Sequence, residues 1–494
     1  MTQKKLLPLL ISSLLAPAAA HAGVDLIAIG SVSGSYEDLA PQTAGPLENG
    51  VPGNRLGGIG SGLAYAGGTT FLALPDRGPN ADAYNSLVDD TVSYIARFHT
   101  FNLSLAPSGP GSALPFTLTP TLRETTLLSS RSPLVYGDGA GLGYQIDGVT
   151  PLGSGEPALN RVDHTHYFTG RSDNFDPAML STNPDNARLD PESLRVSRDG
   201  RSVFISDEYG PYVYQFDRET GMRIKAFALP DNLAVSTLGT QKSVEKNAND
   251  AGRVPNKGME GLAITPDGKM LVGIMQANLA QDKKKSLRIV TIDMQSGDTH
   301  EYAYKLTDGS GASDIVAVNN HQFLVDERDG NGMADSPLPG DTASAAEVKK
   351  LYLIDLNGAV DVTAMSGDLS AYAVSKDPMP FLDLVSKLNA AGIDSNLIPS
   401  KLEGVAFGQD VDIDGVTKHT LYLANDNDFL SSIADPLKLP GDASRGSVAN
   451  PNLFYVFAFG DEDLPGYVAQ KINERHEHRC SDDDEHRGDA GHGR

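Results

Sequence analysis

One cysteine, Cys480, stands in the 494 residues. A single thiol cannot close an intramolecular disulfide, so oxidative stapling is excluded and stability must come from a buried core. Basic residues are also short: 40 Lys and Arg against 64 Asp and Glu leave a formal net charge of −24. That balance argues against nucleic-acid backbones and anionic membranes as partners and suits a chain that holds cations or simply stays soluble. Beyond the N-terminus no stretch reaches the ~18 apolar residues of a membrane span, so no membrane insertion is expected. No G-x-S-x-G element occurs, which sets aside a serine hydrolase of the α/β type. Helical periodicity is scarce. Pro380 to Ala391 is spaced for a short surface helix, with Phe381, Leu384, Val385 and Leu388 on one face.

What is present begins with the first 22 residues. Lys4 and Lys5 precede a mostly apolar stretch, Leu6 to Ala20, and Ala20-His21-Ala22 forms an A-x-A cleavage pattern. The pattern predicts a signal peptide over 1–22 and an exported mature protein, periplasmic or secreted. A membrane anchor is the poorer reading, because the stretch is short and broken by Pro8 and Pro17. Hydrophobic residues make up 40% of the chain, enough for a large core. At the other end, 466–494 is rich in charge and His (His476, His478, His486, His492) and poor in apolar residues. Such a segment cannot offset its ordering entropy and is predicted to be a disordered tail. Weak metal binding by its His and Asp residues is the alternative.

Between these ends, short β-type runs are separated by Gly, Asp, Asn and Pro. They recur as a unit of strand, tight turn, strand, loop and strand. Copies start at Gly60, Pro191, Met259, Ala312 and Leu402, with turns at Gly67-Gly68, Asp199-Gly200, Asp267-Gly268 and Asn319-Asn320. The Asp-Gly pairs supply the positive φ of two-residue hairpins. A repeated antiparallel meander predicts one all-β domain over 23–465, a β-propeller. Sandwiches would show no such register. Five copies are visible, and residues 105–180 have room for another, so six blades are expected, with seven the alternative. Val24 to Gly30 lies outside the first copy and is expected to close the ring by pairing with Leu453 to Phe459.

The repeats carry acids at equivalent points. Glu192, Glu260 and Glu403 each precede a small residue and an apolar strand, and Asp314 holds a similar place. A second set follows the next strand: Asp76-Arg77, Asp207-Glu208, Asp326-Glu327-Arg328 and Asn425-Asp426. In a propeller, equivalent positions ring the channel, so these carboxylates should meet at one mouth, where hard oxygen ligands suit a divalent cation, Ca²⁺ before Mg²⁺. Glu192, Glu260, Glu403 and Asn425 are the expected metal ligands. Asp76, Arg77, Asp207, Glu208, Asp326 and Arg328 are the expected catalytic groups, and Lys257 and Lys401 the substrate-binding cations. The plainer alternatives are local turn caps for the acids and ion pairing for the cations.

Several of these residues sit in longer motifs: LGGIGSGLAY (Leu56 to Tyr65), LPDRG (Leu74 to Gly78), DPESL (Asp190 to Leu194), SDEYGP (Ser206 to Pro211), NKGMEGLAITPDG (Asn256 to Gly268) and KLEGVAF (Lys401 to Phe407). In order and spacing they resemble the phytase-like family of exported bacterial proteins described as having esterase-like activity of phytase. The resemblance covers most of 24–460 and implies a β-propeller with phosphoesterase-type activity. The Asp-Asp-Pro-Ala element of established β-propeller phytases is missing, so the resemblance does not extend to phytate as substrate.

Other motifs carry less. Gly58 to Gly62 looks like a nucleotide loop without the βαβ context that one needs. Asp410 to Gly415 starts like an EF-hand loop, but Leu421 stands at its twelfth position, and a hairpin turn extending the last blade is the better account. The pair His164 and His166 is read as incidental. The function expected is a divalent-cation-dependent phosphoesterase acting on a small anionic ester, with no nucleic-acid partner. The alternatives are a non-catalytic Ca²⁺-binding propeller and a lactonase or carboxylester hydrolase.

Overall fold

Apolar runs broken by Gly- and Asp-bearing turns fold into antiparallel meanders wherever the sequence repeats. The computed structural model describes residues 23–81, 91–137, 149, 161–162, 164–335, 344–439, 442 and 444–473; the expected signal peptide and residues 474–494 lie outside them. After β1 (Asp25–Val32), the first blade is β2 (Gly62–Tyr65), β3 (Thr70–Leu74), β4 (Arg97–Pro107) and β5 (Phe116–Leu127). A small sheet of β6 (Ser129–Ser130), β7 (Arg161–Val162) and β8 (Thr165–Tyr167) follows. The second blade is β9 (Pro191–Val196), β10 (Ser202–Asp207), β11 (Tyr212–Asp217) and β12 (Arg223–Ala228). After helix α1 (Lys242–Ala248), the third is β13 (Met259–Ile264), β14 (Met270–Met275), β15 (Ser286–Asp293) and β16 (Thr299–Lys305). The fourth is β17 (Gly311–Ala317), β18 (Gln322–Arg328) and β19 (Lys349–Asp355), with β20 (Ser375–Lys376) and β21 (Leu382–Asp383) both pairing with β19. Helix α2 (Leu384–Ala390) then leads to β22 (Leu402–Phe407), β23 (Val411–Ile413), β24 (Val416–Asn425), the ribbon of β25 (Ser432–Ala434) and β26 (Ser447–Ala449), and β27 (Asn452–Phe459).

The innermost strands β2, β9, β13, β17 and β22 neighbour one another in that order, and β22 returns to β2. The ring therefore closes with five blades among the described residues, not the six expected or the seven held as alternative. Closure is direct: the Gly404 amide donates to the Gly60 carbonyl at 2.7 Å. Among its described residues, the 105–180 stretch forms the long outer strands β4 and β5 and the small sheet of β6 to β8 rather than a further blade.

The last blade is closed as expected. In the order β1-β27-β24-β22, β1 runs antiparallel to β27 with Ala28 opposite Val456 and Ile29 opposite Tyr455. This joins the two ends of the propeller chain in one sheet. The Asp410 to Gly415 segment is the expected hairpin: Ile413 pairs with Val416 across Asp414 (φ 53) and Gly415 (φ 80). Within the predicted 380–391 stretch, α2 buries Leu384, Val385 and Leu388, and its capping Asp383 accepts the Ser386 amide. No helix of the described residues is long and apolar enough to cross a membrane.

A buried ion pair runs through the channel. The Arg195 Nη2 group donates to both carboxylate oxygens of Asp314 at 2.9 Å. Arg195 also reaches the Leu63 carbonyl at 2.9 Å, while Asp314 accepts the Ser193 hydroxyl at 3.0 Å, the Val405 amide at 2.9 Å and the Leu262 amide at 3.4 Å. All five blades thus contribute to one network. Past the far ends of the inner strands the chain crosses the channel: the Val468 amide donates to the Val318 carbonyl (2.8 Å), Gln470 to the Val196 carbonyl (3.1 Å) and the Asn473 amide to the Arg198 carbonyl (3.0 Å). The packed chain therefore continues through 473, past the domain end expected at 465.

Removing one partner of a buried pair leaves the other charge uncompensated. Arg195→Met is therefore expected to cost about 3–5 kcal/mol of unfolding free energy, read as a lowered denaturation midpoint. Pairing it with Asp314→Leu should recover much of that loss. A single-variant cost near zero would show that the pair does not tie the blades.

Candidate metal and anion site

Glu192, Glu260 and Glu403 are the second residues of β9, β13 and β22. Near each, the pairing register slips by one residue against the neighbouring strand. Such a bulge turns a side chain out of the normal alternation, and here it sends the three carboxylates to one mouth of the channel. The following small residue serves the packing between blades: a Cβ added to Gly261 would lie 2.7 Å from the Asp314 Cα. Asp314 sits at the equivalent bulge of β17, but its carboxylate turns down the channel to Arg195.

The mouth is a cavity of about 250 Å³ whose walls include Asp76, Arg77, Glu192, Glu208, Lys257, Glu260, Arg328, Lys401 and Glu403. Three of the expected site residues stand off this wall. Asp207 caps a turn, accepting the amides of Asp190, Tyr209 and Gly210 at 3.0–3.1 Å. Asn425 accepts the Leu453 amide at 2.6 Å and so holds β27 rather than an ion. Asp326 is fully buried away from the cavity, with neither carboxylate oxygen hydrogen-bonded.

The cations mostly meet acids across blade boundaries. Arg77 of the first blade pairs with Asp190 at 2.9 Å, and Arg328 of the fourth pairs with Glu403 of the fifth and lies 3.8 Å from Glu260 of the third. Lys401 pairs with Asp426 at 2.7 Å and Asp428 at 2.5 Å. Arg77 and Arg328 thus engage carboxylates rather than facing open space, the plainer of the two sequence readings. Lys257 is exposed on the rim and, among the described residues, enters no ion pair.

One group of carboxylates is compact: oxygens of Asp190, Glu192 and Glu208 lie within 4.8 Å of one another, all buried. Sequence reasoning placed Asp190 in a motif but gave it no role; its signal was its spacing two residues before Glu192. Burial pushes Glu192 well above the usual carboxylate range, reinforced by the charges of Glu260 and Asp190. Glu260 is raised likewise by burial and by Glu208 and Glu403. Burial, with Asp190 next, lifts Glu208 to about 7, and burial lifts Asp207 to about 7. Asp76 is raised by burial and then by Asp426. The cavity therefore disfavours its own full ionisation. Three buried oxygens on its wall, Glu208 Oε2, Glu260 Oε2 and Asn256 Oδ1, have no hydrogen-bond partner. Excess negative charge, hard oxygen donors and unsatisfied acceptors together fit a divalent cation. Asn256, at φ 55, opens one of the sequence motifs but was given no role there.

Residues 54–429 match the family termed phytase-like and described as "Esterase-like activity of phytase". The chain is 25% identical over 451 residues to an uncharacterized secreted protein of Arthroderma benhamiae, covering 77% of this chain and 84% of that one. Among solved structures, a luciferin-regenerating enzyme aligns at 12% identity and TM-score 0.32, covering 90% of this chain and all of its own. The hydrazine synthase of Kuenenia stuttgartiensis aligns at 9% identity and TM-score 0.28, covering 75% and 78%. At these TM-scores the structural likenesses carry no argument.

The raised carboxyls dictate a pH dependence. Their unfolded values lie near 4, so the folded state binds more protons between about pH 4 and 7. Their contribution to stability is complete below about pH 4 and is lost as pH rises through the folded values, near 7 for Glu208 on the cavity wall. With chelator present, the melting temperature should fall between pH 5 and 7.5, and millimolar Ca²⁺ should remove most of that fall. A chelated profile that is flat or rises with pH would contradict this account of the mouth.

Proposed function

The chain belongs to the phytase-like family, and from that membership we propose that it is an exported, divalent-cation-dependent esterase acting on small phosphate esters. The observation that carries the reading is one cavity walled by Glu192, Glu208, Glu260 and Glu403, where oxygens of Glu192 and Glu208 lie within 4.8 Å of one another and of the buried Asp190, while Lys257 and Arg328 line the same wall. Export is supported by the N-terminal cleavage pattern and by a relative named as secreted.

Asp190, Glu192 and Glu208 would hold the ion, with Glu260 and Asn256 turned toward the same space. A donor set of oxygens alone favours Ca²⁺. When bound, such an ion polarises a phosphoryl oxygen and lowers the pKa of water. The chain supplies position and charge. The carboxylates are fixed at strand ends by bulges and need no rearrangement. Lys257, unpaired on the rim, receives the anionic group of the substrate. Arg328, between Glu260 and Glu403, offsets the negative charge of the wall. Arg77 and Lys401 are pinned to carboxylates and act as fixed countercharges. That same pinning favours a second reading, a carboxylester or lactone hydrolase, since a neutral carbonyl asks for fewer free cations than a phosphate.

The test is a panel of chromogenic phosphomonoesters, phosphodiesters and carboxylesters, run with Ca²⁺ and with chelator. Phosphomonoester turnover should require the ion. Glu192→Gln and Glu208→Gln should lower ion affinity and turnover together by roughly 10- to 100-fold or more. Lys257→Gln should raise KM with kcat little changed. Carboxylester turnover alone would favour the second reading. No turnover, with Ca²⁺ still bound, would leave a binding protein.

A further inference from the structure

A cavity of about 250 Å³ holds an ion and a group of phosphoryl size, whereas sites for whole organic ligands span about 300–1,000 Å³. The rest of any ester must lie outside it. A second cavity of about 680 Å³ begins where the first ends, and Lys257 and Ser310 line both. Its charge is opposite to that of the molecule. In a chain of net charge −24, it gathers Lys246 from α1, Lys257, and Lys284 and Lys285 from the loop before β15, against a single acid, Asp250. Arg253 also reaches it but is held by Glu245 at 2.5 Å. Lys285 donates to the Thr307 carbonyl at 3.3 Å, while Lys246, Lys257 and Lys284 enter no ion pair among the described residues. Beneath the lysines, Leu287 and Leu306 give the groove an apolar floor.

We propose that this groove is the leaving-group subsite, taking an ester whose alcohol portion is an apolar body bearing its own anionic group. This rests on the esterase reading of the acidic cavity. Hydrolysis forms a bond from water oxygen to phosphorus and breaks the bond from phosphorus to the alcohol oxygen, which leaves with a proton. The alcohol portion is thus the part that lies beyond the cavity, over Ser310 and Lys257. The apolar floor takes its body, and the ring of unpaired lysines takes its charge. A wholly polar alcohol would leave the floor unused, and a neutral one would leave the lysines so.

The test compares phenyl phosphate with 1-naphthyl phosphate carrying a 4-sulfonate, in Ca²⁺, for the wild-type chain and the Lys246→Gln/Lys284→Gln variant. Both lysines are exposed, so the fold is expected to be kept. The wild type should show the lower KM for the sulfonated substrate. The variant should raise that KM by about tenfold, leaving kcat and phenyl phosphate unchanged. Equal KM values in the wild type, or an equal effect of the variant on both substrates, would overturn the subsite. A second measurement separates it from the esterase reading: 1-naphthol-4-sulfonate titrated calorimetrically into the full chain. Binding that weakens with salt and in the variant supports the groove even if neither ester is hydrolysed. No binding to the wild type overturns the groove even if phenyl phosphate is turned over.

Discussion

The Arg195–Asp314 pair is the contact on which the rest of the molecule turns. Inner strands from five blades leave a channel lined by backbone, and polar groups there need partners because water is largely excluded. Asp314 accepts from Arg195, Ser193, Leu262 and Val405, and Arg195 reaches back to Leu63, so the network touches every blade. A buried pair of this kind contributes little net stability against an apolar replacement. What it adds is register: each blade must present a given atom at a given height for the network to close. The bulges at Glu192, Glu260, Asp314 and Glu403 follow from the same height, since they stand at one level around the ring.

With Asp314 turned inward, the other three bulges point their carboxylates at the mouth, where the balance of charge is reversed. Arg77, Arg328 and Lys401 each pair with carboxylates, in two cases across a blade boundary, and still leave Asp76, Glu192, Glu208 and Glu260 with pKa values raised by burial and by neighbouring acids. Elsewhere burial also raises Asp38, Glu301, Asp314 and Asp326, but two buried acids held by cations are lowered. Glu245, between Arg188 and Arg253, lies below the usual carboxylate value, as does Glu327 beside Lys376.

The two ends of the channel are finished by different means. At one end the acids and the basic groove meet through Lys257 and Ser310. At the other the chain from Tyr467 to Asn473 crosses from the fifth blade to the fourth and second, packing Tyr467 on Phe407 and Phe459. The sheet pairing β1 with β27 and this crossing both join elements far apart in sequence. Between this crossing and the inner strands a cavity of about 190 Å³ remains, its lining including Leu63, Arg195, Val316, Ala406 and Gln470.

Local chemistry was enough to determine much of this. Repeated apolar runs separated by Gly- and Asp-bearing turns specify antiparallel meanders. Asp199-Gly200 and Asp267-Gly268 nevertheless lie in longer loops, with positive φ at the Gly alone, rather than in the two-residue hairpins expected. An apolar first strand left over implies a partner strand, and β27 supplies it. Equivalent acids in repeats imply a common height, and Glu192, Glu260 and Glu403 share one. The number of blades was not legible, because the length of 105–180 says nothing of whether β4 and β5 grow outward or a new blade begins. Nor were the partners of each charge. That Arg77 would meet Asp190, that Asp207 and Asn425 would serve backbone amides, and that Asp314 would leave the ring for Arg195 depend on contacts between blades far apart in sequence. The residue types, their spacing and the strands that carry them follow from local rules of alternation and turn geometry. Which acid is left without a cation is decided only when the ring closes and each side chain finds what lies across the channel.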